Sequence, residues 1–291
     1  MNAVLSAEFA IMDLAKRLTL RPSRRDGYSA YYSASGPLAM QRMIKDLITQ
    51  LGQPSQYCGG VGPIVRWHTG SHTVTLDTGE GHGVRLSACQ THTLEEAERA
   101  RFLALARRGS LTDEVLPYLW RFQPSGEFSP APVTPLAQDW TELEVALEAL
   151  LRDWCQSLEL LLGNSAAGFT IDHGDGNLVL MVDPGDGLEN SGDGVAVFAD
   201  SRDDTDRDHP HRTAMKARGW QSFLPVLSYW EAYFDRTRDG SAAAAQLVVN
   251  ELKARGVDTP GSLRLIRASA GTPEYGKLDV PGVGIAPGSP Q

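Results

Sequence analysis

Hydrophobic residues recur at helical spacing most clearly over WTELEVALEALLRDWCQSLELLLG, from Trp140 to Gly163. Leu143, Leu147, Leu150, Leu151, Trp154, Leu158, Leu161 and Leu162 share one face, while Glu142, Glu144, Glu148, Arg152, Asp153 and Glu159 take the other. Gly163-Asn164 closes the helix, since both residues tolerate the left-handed turn of a helix stop. Another helix is expected over 38–52, where Leu38, Met40, Met43, Ile44, Leu47, Ile48 and Leu51 form a broad apolar face. The stretch LEEAERARFLALARRG, capped by Thr93 or Thr91, has acids in its first turn and arginines in its last, as the helix dipole favours. SAAAAQLVVNELKARG (241–256) has Ser241 as N-cap and Gly256 as C-cap. A short charged helix over 210–218 ends at Gly219.

Between these helices the pattern changes to short strands punctuated by glycine. PIVRWHTG, HTVTLDT and GVRLSACQT predict antiparallel strands in the first half, and 167–172, 177–183 and 194–199 predict them in the second. FLPVLSYWEAYFD (223–235) has strand or edge character, TPGSLRLIRASA is a late strand, and a Gly/Pro-rich tail follows. PSGEFSPAPVTPLAQD holds four prolines and no period, which makes 124–138 a linker. The chain therefore divides into an extension (1–36), a first module (37–123), the linker and a second module (139–291). Residues 3–18 suit an amphipathic helix followed by Lys16, Arg17, Arg21, Arg24 and Arg25: a segment for a membrane surface or partner groove, or a loosely held extension. GYSAYYSASG reads as a flexible connector. The expected fold is α+β, two tandem modules, each an antiparallel sheet flanked by helices. The halves share an outline but too few letters to establish a duplication.

Composition narrows the function. The 291 residues are 42% hydrophobic and 22% charged, as in a globular protein with an ordinary core. The net charge of −9 argues against nucleic acid as a general partner. Eleven acids face only Arg202 and Arg207 between Asp172 and Asp208, so that stretch alone carries the whole imbalance. Cys58, Cys89 and Cys155 are widely spaced and form no CxxC pair, which suits reduced thiols in a cytoplasmic protein. No run reaches the ~18 apolar residues of a membrane span.

Catalytic signatures are sparse. His68 and His72 are four apart, but across a strand, a turn and a strand, where that spacing is no metal pair. His82 and His92 lack a carboxylate or Cys at ligand spacing. His209 and His211 beside Asp204, Asp206 and Asp208 imitate the start of a calcium loop, but His209 stands where Gly is needed and Met215 where Glu is needed. The acidic turns at 172–175 and 183–187 have the residues that hairpin turns require. CGGVGP (58–63) lacks the Lys-Ser/Thr of a phosphate loop. No catalytic residue, metal or cofactor is assigned. The aromatics remain, and Phe169, Trp220, Tyr229 and Trp230 are the candidate lining of a peptide groove on an open sheet face or edge. Asp203, Asp204, Asp206 and Asp208 are the candidate acidic surface.

Over 139–267 the order of elements resembles the type III secretion chaperone-like and YbjN-like peptide-binding (TY-Chap) families. The helix ending at Leu162-Gly163, GFTIDHGDGNLVLMV, the helix running into Gly219-Trp220, the apolar segment with Tyr229-Trp230 and LVVNELKARGVDTPGSL carry the likeness. The resemblance implies a non-enzymatic binder of protein or peptide segments with the sheet as platform, acting as a homodimer or as an internal pseudo-dimer. Two other readings compete. One is an immunity protein whose acidic segment covers a toxin's basic site; the other is an enzyme with a dispersed site joining His173 with His209 or His211.

Overall fold

A computed structural model describes residues 28–35, 37–60, 62–69, 71–78, 83–109, 111, 116–124, 133–174, 176–183, 194–201, 209–225, 228–271 and 276–288. They form two seven-stranded sheets with helices, an α+β structure. The first sheet has β1 (Tyr28–Ser35), β2 (Gln56–Gly59), β3 (Pro63–Thr69), β4 (His72–Thr78), β5 (Gly83–Gln90), β6 (Trp120–Gln123) and β13 (Lys277–Asp279), in the order β1-β5-β4-β3-β2-β6-β13. The second has β7 (Ala167–Asp172), β8 (Asn177–Asp183), β9 (Gly194–Asp200), β10 (Ser222–Leu224), β11 (Tyr229–Asp235), β12 (Arg264–Ala270) and β14 (Ala286–Pro287), in the order β10-β11-β9-β8-β7-β12-β14. The helices are α1 (Pro37–Leu51), α2 (Thr91–Arg108), α3 (Trp140–Leu162), α4 (His209–Ala217) and α5 (Arg238–Ala254).

The two modules repeat one connection scheme. After α1 come β2, β3, β4 and β5 as a meander, then α2, and β6 returns beside β2. After α3 come β7, β8, β9 and β11, with α4 and β10 inserted before the last, then α5, and β12 returns beside β7.

α3 lies between the sheets. It packs along α5, touches β2 and β3 on one side, and touches β8 and β9 on the other. This is why its apolar positions outnumber a single stripe: Leu143, Leu147, Leu150, Leu151, Trp154, Leu158 and Leu161 are buried together with Ala146, Ser157 and Asp153. Asp139 caps the helix by accepting from the Glu142 N–H at 2.9 Å. Trp154 stands edge-on to Trp120 of β6 (centroids 6.4 Å) and to Phe169 of β7 (5.9 Å), so one indole bridges both modules. The apolar core is accordingly continuous, from Met40 and Leu47 through Trp67 and Leu150 to Val197 and Val248.

Asp153 corrects the expected polar face. It is buried at the seam, where it accepts from the Trp120 indole N–H and from the Ser157 hydroxyl. Helical spacing placed it opposite the leucines, but a helix with a sheet on either side has a second buried face. Gly59 makes room for it, since a Cβ there would collide with the Asp153 carboxylate and the Trp120 indole. Burial pushes the Asp153 carboxyl up to about 6, against the hydrogen bonds from Trp120 and Ser157.

Other expectations change as well. Residues 28–35, read as connector, pair antiparallel with β5 as an edge strand. Thr91 does not cap α2; its hydroxyl pairs with that of Thr73 at 2.9 Å. α5 starts three residues before Ser241, capped by Thr237, whose hydroxyl oxygen accepts from the Gly240 N–H at 3.0 Å. The tail is structural: it adds β13 to the first sheet and β14 to the second, and it buries Leu278, Val280, Val283 and Ile285. Arg121 of β6 pairs with Asp279 at 3.0 Å, and the Ala137 N–H donates to the Gly284 carbonyl, so the tail also holds the end of the 124–138 segment. No helix among the described residues is long and apolar enough to cross a membrane.

The seam makes three predictions. Trp154→Ala should destabilise the whole chain by about 3–5 kcal/mol. Denaturation followed by far-UV CD and by tryptophan fluorescence should give coincident transitions for the wild type, because the modules share one core. The Asp153 carboxyl has a folded-state pKa above its unfolded value, so the folded protein holds the extra proton between about pH 4 and 6 and stability falls as pH rises through that window. Asp153→Asn should remove this decline, a relative gain at neutral pH on the order of 2–3 kcal/mol over pH 4, measured by urea unfolding at both pH values.

Candidate functional site

The two sheets use their outward faces differently. In the first sheet the inward residues Val65, Trp67, Leu76 and Leu86 join the common core, and the outward ones are polar: Gln56, Arg66, Thr75, Asp77, Arg85 and Arg121. α2 roofs this face. Its Phe102 packs on Tyr118 and Cys58, and Glu98 takes a two-pronged ion pair with Arg66. The guanidinium groups of Arg66 and Arg121 lie over the Tyr118 ring at 5.6 and 5.9 Å. Arg85 clasps Asp77 with two nitrogens. A polar cleft of about 250 Å³ beside α2 is lined by Arg66, Glu98, Asp77, Arg85 and Cys89. Its ion pairs Arg66–Glu98 and Arg85–Asp77 satisfy each other, and burial raises the thiols, Cys58 to about 12. Thiolate chemistry is disfavoured there.

The outward face of the second sheet has the opposite character, and no helix of the described residues packs on it. Strand alternation puts Phe169, Ile171, Leu178, Leu180, Val195, Val197, Trp230 and Ala232 inward, all essentially inaccessible. The alternate residues then face outward in register. One row reads Ile266, Thr170, Val179, Phe198, Glu231; the next reads Ser269, Gly168, Met181, Ala196, Tyr233. Phe198 and Tyr233 meet edge to face, centroids 6.2 Å apart, and Tyr233 is 39% exposed. The Tyr233 hydroxyl donates to Glu231 at 3.0 Å, and the Ser222 hydroxyl donates to its other oxygen. Burial, then the bond and charge of Glu231, raise the Tyr233 phenol. Gly168 and Ala196 carry almost no side chain and flank Met181 in the second row, and Ala196 is buried there.

The edges of this sheet differ: one is covered by β10 and Gln221, while at the other β14 pairs only with Arg264 and Leu265 of β12. β10 covers only the first part of β11. Beyond it the Gln221 amide takes both main-chain groups of Tyr233, donating to its carbonyl at 2.8 Å and accepting its N–H at 3.1 Å. The other edge, β14, is two residues long and ends in Pro287.

The residues expected to line a groove are mostly elsewhere. Phe169, Trp220 and Trp230 are buried on the inward side: Phe169 against Trp154, Trp230 against Phe223, and Trp220 donating its indole N–H to Glu251. Glu251 also binds Arg218 and Arg255; burial alone would raise its carboxyl, but the bonds from Arg255 and Trp220 hold it below its ordinary value. Only Tyr229 faces outward, half-buried beside Asp200. The correction is one of parity, because adjacent strand residues point to opposite faces and the largest aromatics go to the core. The same alternation, applied to GFTID, NLVLMVD, GVAVFAD and YWEAYFD, would have picked out Val179, Met181, Phe198 and Tyr233. Asp203, Asp204, Asp206 and Asp208 lie outside the described residues.

Among the histidines, His68 and His72 lie on the paired strands β3 and β4, His92 pairs with Glu96 at 3.2 Å, and His173 Nε2 is 3.5 Å from Arg255. Among the described residues no group of three or more His, Cys, Asp or Glu could hold a metal ion. Asp172 is a turn residue, accepting from the Gly174 N–H at 2.9 Å. No protein-family model matches the chain, and no curated protein or solved structure matches it either.

The Gln221 clamp makes a separable prediction. Gln221→Ala should raise hydrogen exchange at the Tyr233 amide by about tenfold, the worth of one lost hydrogen bond. Gln221→Glu, which keeps the acceptor, should leave that amide protected, as amide-resolved exchange would record.

Proposed function

We propose that the chain is a protein- or peptide-binding chaperone or adaptor, and that its platform is the outward face of the second sheet. The observation that carries the reading is a sheet face on which no helix of the described residues packs, with part-buried Val179, Met181 and Phe198 beside Tyr233, in a molecule whose other sheet has the corresponding face covered by a helix. Apolar side chains clustered on an accessible face, rimmed by polar groups, are what a binding surface requires. The order of α3, three strands, α4 closed by Gly219-Trp220, two strands and α5 agrees with the chaperone-like resemblance and supports it. The repeated connection scheme supports an internal pseudo-dimer, since one chain supplies both sheets.

Binding to an array of short peptides tests the reading. Wild type should retain a subset rich in apolar residues, and Val179→Glu and Tyr233→Glu, each with unchanged CD and melting temperature, should weaken that binding at least tenfold, on the order of one buried contact. Retention undiminished by both variants would overturn the assignment.

A further inference from the structure

The two modules leave a pocket where they meet, at the C-terminal end of α3. It measures about 370 Å³, within the range of small-molecule sites. Both modules wall it. Tyr57 of β2 and its register partner Phe122 of β6 come from the first sheet, Leu161 and Leu162 from the last turn of α3, and Ser165 and Ala270 from the flanks of β7 and β12. Strand parity accounts for the two rings. Trp120 reaches Asp153 of α3, and Phe122, two residues along, leaves the sheet on the same side with Tyr57 opposite it.

No acid, base or histidine lines this pocket. An ion entering it would give up its hydration and gain no countercharge, so the occupant is uncharged. Most of the wall is carbon. The side chains of Gln53, Tyr57 and Ser165 also line it, and none of the three hydrogen-bonds to another described residue. Tyr57 is half-buried and burial raises its phenol, so it stays a neutral hydroxyl that can donate or accept. We propose that this pocket binds an uncharged, largely apolar small molecule bearing one hydroxyl, and that the bound molecule braces the two modules. Its apolar part lies between Tyr57, Phe122 and Leu162, and its hydroxyl meets those of Tyr57 and Ser165. Because both modules contribute walls, occupancy stabilises the joint that Trp154 makes. The pocket shares no lining residue with the outward face of the second sheet, so it stands apart from the binding reading above.

The test uses the full chain, naphthol as the probe and naphthalenesulfonate as its charged counterpart. Methyl NMR should show saturable naphthol shifts at Leu161, Leu162 and Ala270, and naphthol should raise the melting temperature. Naphthalenesulfonate should bind about tenfold or more weakly. Tyr57→Phe combined with Ser165→Ala removes two hydroxyls and leaves the apolar wall. That protein should hold naphthol about tenfold less tightly, the worth of one or two hydrogen bonds. Leu162→Trp, with unchanged CD, should fill the pocket and abolish the shifts at Leu161 and Ala270. Equal binding of the sulfonate, or undiminished naphthol binding after loss of both hydroxyls, would overturn the uncharged hydroxyl-bearing ligand. Shifts confined to other methyls, no shifts at all, or shifts that persist in folded Leu162→Trp would overturn the pocket as a binding site. None of these results alters the peptide-array readout for the outward face of the second sheet.

Discussion

Trp154 is the residue on which the two halves converge. It is inaccessible, it lies edge-on to Trp120 in one sheet and Phe169 in the other, and it sits in the middle of a helix with a sheet on either side. Its neighbour Asp153 completes the joint in polar form, holding the Trp120 indole against a glycine that leaves room for it. A buried carboxylate with two neutral donors is an expensive way to join two sheets. It is also directional: the aromatic contact alone would tolerate sliding, and the hydrogen bond fixes one register between α3 and β6.

That joint determines which sheet faces remain for other work. α3 and its neighbours occupy the inward sides of both sheets, so each sheet has a single outward face left. In the first module α2 closes it over a self-neutralising set of arginines and acids. In the second, α5 instead packs along α3 on the inward side, and the outward face has no helix among the described residues. The same connection scheme thus ends in two different surfaces because one helix chose the other side of its sheet. The tail ties the arrangement together, contributing a strand to each sheet.

Much of this was legible in the chain. The helices 140–162 and 37–51, the strands 63–69, 72–78, 83–90, 167–172, 177–183 and 194–200, and the glycine stops at 163 and 219 follow from periodicity and backbone preference, which are local properties. The α+β class with two sheets follows from their order. The outward residues Val179, Met181, Phe198 and Tyr233 were within reach through strand parity, whereas the larger aromatics Phe169, Trp220 and Trp230 lie on the opposite side, where size and apolarity are best used in the core. The tail and β1 were not legible, because a short edge strand is stabilised by a neighbour distant in sequence: β13 by β6, and β1 by β5.

The sequence alone therefore determined the helices and the central strands, their order, and the concentration of acid between Asp172 and Asp208, since spacing and charge count depend only on covalent neighbours. Tertiary structure decided that Asp153 is a buried clasp and not a solvated acid, that Trp220 and Trp230 are core, and that Val179, Met181, Phe198 and Tyr233 share the outward face of the second sheet. The reason is common to all three: which side of a helix or strand is covered depends on what packs against it from elsewhere in the chain.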